Sequence, residues 1–338
     1  MKYNLSVLAI FKNEKLILRQ WIEHYLREGV DHFYLIDNGS TDNYQPTIQD
    51  YLSKISLKID ARRFHQGTQQ YLYCNTFMLT ATHETKWLIV CDIDEYIYAR
   101  NGFHTIPEVL NQLPPKVDKL WIPWKIFGSN GHKTQPKSII QSFTKRSKNI
   151  INNKGMGKVI VKAKNLAEIQ TAGHMALLRE NDDYYNCNGN LLERYIFNDK
   201  NCASLNLHMN HYMLMSKEYY QTVKCVRGGG ESGKIHKYTM DYFHKNDKNL
   251  NQIVDDELKN KVYPHSIKKN TINKVKWYCY KKHFRKINNQ QIQNIVPTIL
   301  KINTNYSDNL LPDQKEIISN TQIFNLHSEI NDYYIIEK

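Results

Sequence analysis

KWLIVCDIDEYIY, residues 86–98, runs apolar, then acidic, then apolar again. Trp87–Cys91 has the pattern of a strand buried on both faces. Asp92, Asp94 and Glu95 follow it directly, and strand alternation predicts that Asp92 and Asp94 share one side. Two carboxylates at the end of a buried strand are costly unless a cation or a substrate satisfies them. Mg²⁺ and Mn²⁺ take oxygen ligands and bridge carboxylates to phosphates. A solvated turn after an ordinary strand is the competing reading, and an isolated Asp-x-Asp does not separate the two.

Upstream, the same pattern recurs. Leu5–Phe11 is an apolar run suited to a central strand, and it ends at Lys12-Asn13-Glu14. Apolar residues at helical spacing predict a helix over Leu16–Arg27, with Gly29 as its stop. Asp31–Asp37 is a second strand that breaks into Asn38-Gly39-Ser40-Thr41-Asp42, a turn and N-cap for a helix through Tyr51. Leu57–Ala61 is a third strand, and Gln69–Thr82 is helical. Strands alternating with helices at this spacing predict an α/β fold with right-handed crossovers and a parallel sheet. Ligands then bind beyond the carboxyl ends of the strands. Asn13-Glu14, Asp37–Asp42 and Asp92–Glu95 all fall there. No G-x-G-x-x-G follows the first strand and no phosphate-binding G-x-x-x-x-G-K-[ST] occurs, which argues against dinucleotide and P-loop proteins. The acidic loop after the second strand suits a base or a ribose, whose N–H or hydroxyl groups a carboxylate accepts.

Downstream, a short helix is expected at Ile106–Leu113 and an aromatic strand at Lys119–Phe127. The Gly- and Ser-rich turn 128–132 suits a sugar ring or, equally, a tight hairpin over core tryptophans. Ser138–Lys145 and Lys158–Lys164 read as further strands, with Gly155–Lys158 a flexible turn whose Lys158 could meet phosphate. His174, His208 and His211 are candidate functional histidines, two of them on the predicted strand Asn206–Tyr212. The helix Ser216–Val226 ends in a basic, glycine-rich loop able to wrap an anion.

The 338 residues allow one large domain, or one domain with an elaboration. With 23% charged and 41% hydrophobic residues the composition is that of a globular protein, and no apolar run approaches the roughly 18 residues of a membrane span. MKYNLSVLAIFKNE resembles a signal peptide but has no small-residue cleavage site, so it reads as the first strand. Six scattered cysteines without a C-x-x-C pair give no zinc spacing and no disulfide framework, which fits a reducing compartment. The net charge of +13 admits nucleic acid, an anionic membrane or phosphate-bearing substrates. The excess concentrates in 265–286, HSIKKNTINKVKWYCYKKHFRK, where basic and aromatic residues interleave. Membrane-surface docking, a core-facing stripe with a solvated lysine face, RNA binding without a recognisable nucleic-acid module, and the codon bias of an AT-rich genome all account for it.

Taken together, FKNE (11–14), REGVDHFYLIDNGSTD (27–42), KWLIVCDIDEY (86–96), WKIFGSNGH (124–132) and MNHYMLMSKEYYQTVKCVRGG (209–229) resemble glycosyltransferase family 92 and related family-2-like glycosyltransferases. The resemblance covers roughly residues 3–255. It implies a glycosyltransferase A fold for 1–255, beside a basic, mainly helical extension at 256–338. It also implies a nucleotide-sugar donor, most often UDP-linked, a Mn²⁺ or Mg²⁺ ion, and inverting transfer to a glycan or lipid-linked acceptor, without nucleic acid. On this resemblance Asp37 contacts the base, Asn13 and Glu14 sit beside the nucleotide, and Asp92 lies near the ribose or donor sugar. Asp94 and His211, with Asp92, hold the metal, while Lys217, Lys224 and Arg227 face the diphosphate, beside the Lys158 already read from its turn. Asp94, Glu95 and His132 are the candidate catalytic groups, with Glu193 and Glu231 further options for the base. Many eukaryotic members carry a membrane anchor before this domain. Its absence here implies a cytoplasmic enzyme, bacterial or viral, with peripheral contact to the inner membrane face. A nucleotidyltransferase using paired aspartates and a non-catalytic basic binding module are the alternatives from other classes.

Overall fold

The apolar runs become strands of one twisted sheet. The computed structural model describes residues 1–60, 68–150, 157–192, 202–227 and 238–263. β1 (Tyr3–Phe11), β2 (His32–Asp37), β3 (Ile55–Ile59) and β4 (Thr85–Val90) form the first half of the sheet, all parallel, with β1 between β2 and β4. This is the arrangement that the strand–helix alternation predicts.

The second half adds β5 (Glu95–Ala99), β6 (Lys119–Ile126), β8 (Gly157–Lys162) and β11 (Leu207–His211), giving the order β3-β2-β1-β4-β8-β6-β11-β5. β8 is antiparallel to both β4 and β6, and β5 is antiparallel to β11, so the sheet is mostly rather than wholly parallel. The reversals have a geometric result. The carboxyl ends of β1, β2, β4, β6 and β11 share one edge with the amino ends of β5 and β8. Two small sheets pair β9 (Leu166–Gln170) with β10 (Met175–Leu178), and β7 (Lys145–Arg146) with β12 (Ile253–Val254).

Helix α1 (Leu18–Arg27) buries Leu18, Trp21, Ile22 and Tyr25 against the sheet, one apolar stripe at helical spacing. It stops where Gly29 takes φ +88°, a conformation only glycine adopts at little cost, with Pro107 packed against it. The helix over 68–84 is interrupted by a π turn at Cys74–Met78, as is that over 217–227 at Tyr220–Lys224.

Ser138–Lys145 is not a strand except at its last residue, which opens β7. Ser138 caps a one-turn helix, Ile139–Ser142, by accepting from Gln141 N, and Asn130 Oδ1 then accepts from the amides of Thr144 and Lys145. Local side-chain acceptors overrode the apolar pattern. Nor is Lys158 in a flexible turn, because it lies inside β8 and is fully buried. Gly155, Glu193, Glu231 and the basic stretch 265–286 lie outside the described residues, as does nearly all of the expected 256–338 extension.

Residues 255–263 pack onto this body through buried charges. Lys125 Nζ donates to Asp255 at 2.9 Å, Glu257 at 3.2 Å and the Tyr98 hydroxyl at 2.8 Å. Arg146 Nε reaches Asp255 at 2.6 Å, and Lys261 Nζ reaches the buried Glu28 at 2.5 Å. Among the described residues no helix is long and apolar enough to cross a membrane.

Candidate active site

The acidic turn begins where β4 stops at Val90. Asp92 and Asp94 therefore lie between β4 and β5, beyond the strand whose alternation would align them, and each meets its own partners. Helix α1 holds this turn by its backbone. Trp21 Nε1 donates to the carbonyls of Asp92 at 3.0 Å and Glu95 at 3.1 Å, and the Tyr25 hydroxyl donates to Glu95 O at 3.1 Å.

Glu95 is wholly enclosed. Its Oε2 accepts from the Asp92 amide at 2.7 Å and its Oε1 from Trp124 Nε1 at 2.8 Å. Lys158 Nζ lies 3.0 Å from Asp92 Oδ2 and 3.7 Å from Glu95 Oε2. Burial alone would lower the Lys158 pKa, but Asp92 and then Glu95 outweigh it and raise the value. The lysine is a fixed cation under the turn. Asp92, partly exposed, is the carboxylate this group presents outward.

His174 borders the same group. Its Nδ1 lies 2.9 Å from the Gly157 carbonyl and must carry the hydrogen, which leaves Nε2 as an acceptor. Its ring meets Trp124 edge-on at 5.1 Å, and Trp124 in turn lies 4.4 Å from the ring of His211. Burial, and then the neighbouring Lys158, push the His174 pKa down to about 4, so the imidazole is neutral.

Asp94 faces the other way. Its Oδ2 accepts from Lys224 Nζ at 2.6 Å and lies 3.6 Å from His211 Nε2. Burial would raise the Asp94 pKa, yet Lys224 and His211 hold it well below the ordinary carboxylate range. His211 Nδ1 is buried without a hydrogen-bond partner among the described residues. A carboxylate oxygen and an imidazole this close suit a divalent ion whose other ligands come from phosphate oxygens. No third His, Cys, Asp or Glu completes the set among the described residues. Asp94 and His211 thus fit half of a coordination shell.

Next to this pair, Glu14 at the end of β1 is buried against Arg227 and the Tyr219 hydroxyl, both donating to its carboxylate. The 217–227 helix therefore brings Tyr219, Lys224 and Arg227 to the two acidic strand ends. At the end of β2, Asp37 accepts from the Ser40 amide at 2.7 Å and from the Tyr44 hydroxyl at 2.9 Å. Asn13, at φ +57°, spans the first two loops, its Oδ1 accepting from the Thr41 amide at 2.7 Å. It shapes the loop that carries Asp37.

The remaining expected residues are placed elsewhere. His132 Nε2 bonds the Ser142 carbonyl at 3.0 Å and its ring packs on Phe143. Lys217 is exposed at the start of its helix. His208 is held by Glu257 and the Cys202 carbonyl, in the buried charge cluster under residues 255–257. Sequence reading names His174 only as one candidate histidine among three, and leaves Trp124, Tyr219 and Tyr44 without a role. A lone histidine or tyrosine carries no spacing signal, and only the fold brings these four to the acidic edge.

This sheet, with acidic turns at adjoining strand ends facing a basic helix, is a glycosyltransferase A fold. The chain belongs to glycosyltransferase family 92, which it matches over residues 3–331. The match continues well past residue 255, beyond the motifs quoted above. A family 92 protein from Oryza sativa subsp. japonica is 26% identical over 143 residues, covering 40% of this chain and 23% of the relative. Another, from Ricinus communis, is 28% identical over 97 residues, covering 29% and 17%. The matched stretch thus spans less than a quarter of either plant protein's length. Among solved structures, S. aureus TarS 1–349 is similar, with 16% identity and a TM-score of 0.33 over 54% of this chain and 60% of that one. Glucosyl-3-phosphoglycerate synthase from Mycobacterium tuberculosis, in its complex with Mn²⁺, UDP-glucose and phosphoglyceric acid, gives 12% identity and a TM-score of 0.27 over 48% and 58%.

Proposed function

We propose that the protein transfers a glycosyl group from a nucleotide sugar, UDP-linked, to a hydroxyl of a glycan or lipid-linked acceptor, with inversion at the anomeric carbon. The observation that carries this reading is the convergence of Glu14, Asp37, Asp92 and Asp94 with Lys158, Lys224 and Arg227 on one edge of the sheet. Asp37, buried and held by Ser40 and Tyr44, fixes the loop that faces the base. Lys224 neutralises the diphosphate, Arg227 holds Glu14 beside it, and Asp92, oriented by Lys158 and by Glu95 beneath it, accepts from sugar or ribose hydroxyls. Asp94 and His211 would hold a Mn²⁺ or Mg²⁺ ion, which when bound supplies Lewis-acid stabilisation of the leaving diphosphate. The acceptor oxygen attacks the anomeric carbon as the bond from that carbon to the phosphate oxygen breaks. Among the described residues His174 Nε2 takes the acceptor proton, since Glu95 is enclosed and His132 is committed to Ser142.

Incubation with a panel of nucleotide sugars, Mn²⁺ and a mixed glycan acceptor tests the reading. Release of UDP together with a glycosylated product is the expected outcome. Release of pyrophosphate would mark a nucleotidyltransferase instead, and release of neither would return the site to a structural role.

A further inference from the structure

Lys224 already stands where an ion bound to Asp94 would be. Its Nζ lies 2.6 Å from Asp94 Oδ2, the same oxygen that His211 Nε2 approaches to 3.6 Å, and it also donates to the Met213 carbonyl. Both side chains are buried, 3% and 8% exposed, so each charge depends chiefly on the other. The lysine closes a π turn, Tyr220–Lys224, a helical irregularity found frequently at functional sites. Arg227, one turn further on, is committed to Glu14. An ammonium and a divalent ion cannot both sit against one buried oxygen without strong repulsion, and a buried carboxylate with neither is costly.

We infer that Lys224 is a resident cation which a divalent ion must displace from Asp94, and that the donor's diphosphate draws the lysine off. Nucleotide and metal would then bind cooperatively, with Lys224 exchanging a carboxylate for a phosphate oxygen as the metal enters. Without nucleotide the lysine satisfies Asp94 and keeps the metal out. The inference rests on the nucleotide-sugar reading above, but it concerns the order of occupation, which that reading leaves open. It also gives the half-shell of Asp94 and His211 a reason, since the missing ligands arrive with the molecule that releases Lys224.

The test is Mn²⁺ binding to the full chain, followed by electron paramagnetic resonance with and without UDP, for the native protein and Lys224→Met. The native protein should bind Mn²⁺ weakly alone, and at least tenfold more tightly with UDP. By linkage Mn²⁺ should tighten UDP binding by the same factor. Lys224→Met should bind Mn²⁺ alone at least tenfold more tightly than the native protein, and its gain from UDP should shrink correspondingly. Lys224→Gln, which keeps a donor for Asp94 without the charge, replaces it if the methionine variant does not fold. Asp94→Asn should lose Mn²⁺ binding in either background. Native protein that binds UDP and Mn²⁺, with a lysine variant whose Mn²⁺ affinity and UDP gain are unchanged, would overturn the exchange and leave the transferase reading standing. Native protein that binds neither would overturn both.

Discussion

At the residue scale, acceptor activation is proposed to fall to His174, while Glu14, Asp37, Asp92 and Asp94 hold the strand ends. Asp37 and Asp92 end apolar runs, and Glu14 and Asp94 follow such runs within three residues, so the strand pattern brings all four to one edge while the turns decide which partners each one meets. His174 stands in a turn between β9 and β10, on a hairpin that packs beside β8, and nothing local marks it. If it is the base, His174→Gln should lower kcat by about 10²–10⁴ while leaving UDP affinity within a few-fold. The sign of its pH dependence follows from its surroundings. Burial and Lys158, with His211 adding to them and Asp92 opposing, hold the imidazole neutral down to a pH of about 4. Native activity should therefore be flat through neutral pH and fall only as pH drops towards that value. An acid limb near the ordinary imidazole pKa of about 6.5 would give the role to another group. Glu95 was expected among the catalytic groups because it continues the acidic run. The chain places it at the foot of β5, where Trp124 and the Asp92 amide use both its oxygens.

Among the elements, the parallel half of the sheet followed from strand–helix spacing, whereas β8 and β5 did not. A short apolar strand has no sequence mark of its direction. β8 depends on a particular residue at its start. A Cβ on Gly157 would lie 2.5 Å from the Ile122 carbonyl and 2.7 Å from the Trp121 ring, both in β6. Gly157→Ala must push β6 and β8 apart, and its expected cost is roughly 1–3 kcal/mol, as for overpacking a filled core. A lower denaturant midpoint with an unchanged slope is the expected reading, and an unmoved midpoint would mean the strands part freely there. The displacement would also shift Lys158, the next residue, away from Asp92. The 217–227 helix was legible as a helix with basic residues. Its role as the partner of two acidic strand ends was not, because Glu14 and Arg227 are far apart in sequence and meet only through the fold.

For the whole molecule, the sheet order has a temporal consequence. β1 to β4 pair with one another over the first 90 residues, but β5 finds its sheet partner only in β11, residues 207–211. Contacts closed across so long a loop form late and slowly. The Asp92–Glu95 turn is the amino-terminal support of β5, and His211 is the last residue of β11. Asp94 and His211 thus meet only when that pairing closes. On dilution from denaturant, secondary structure should return in an early phase and UDP-dependent Mn²⁺ binding in the last. Binding that recovers together with the first phase would show that the turn is ordered without β11. A chain still being synthesised would, by the same topology, hold its acidic loops ready while remaining unable to engage donor until residue 211 has emerged and docked.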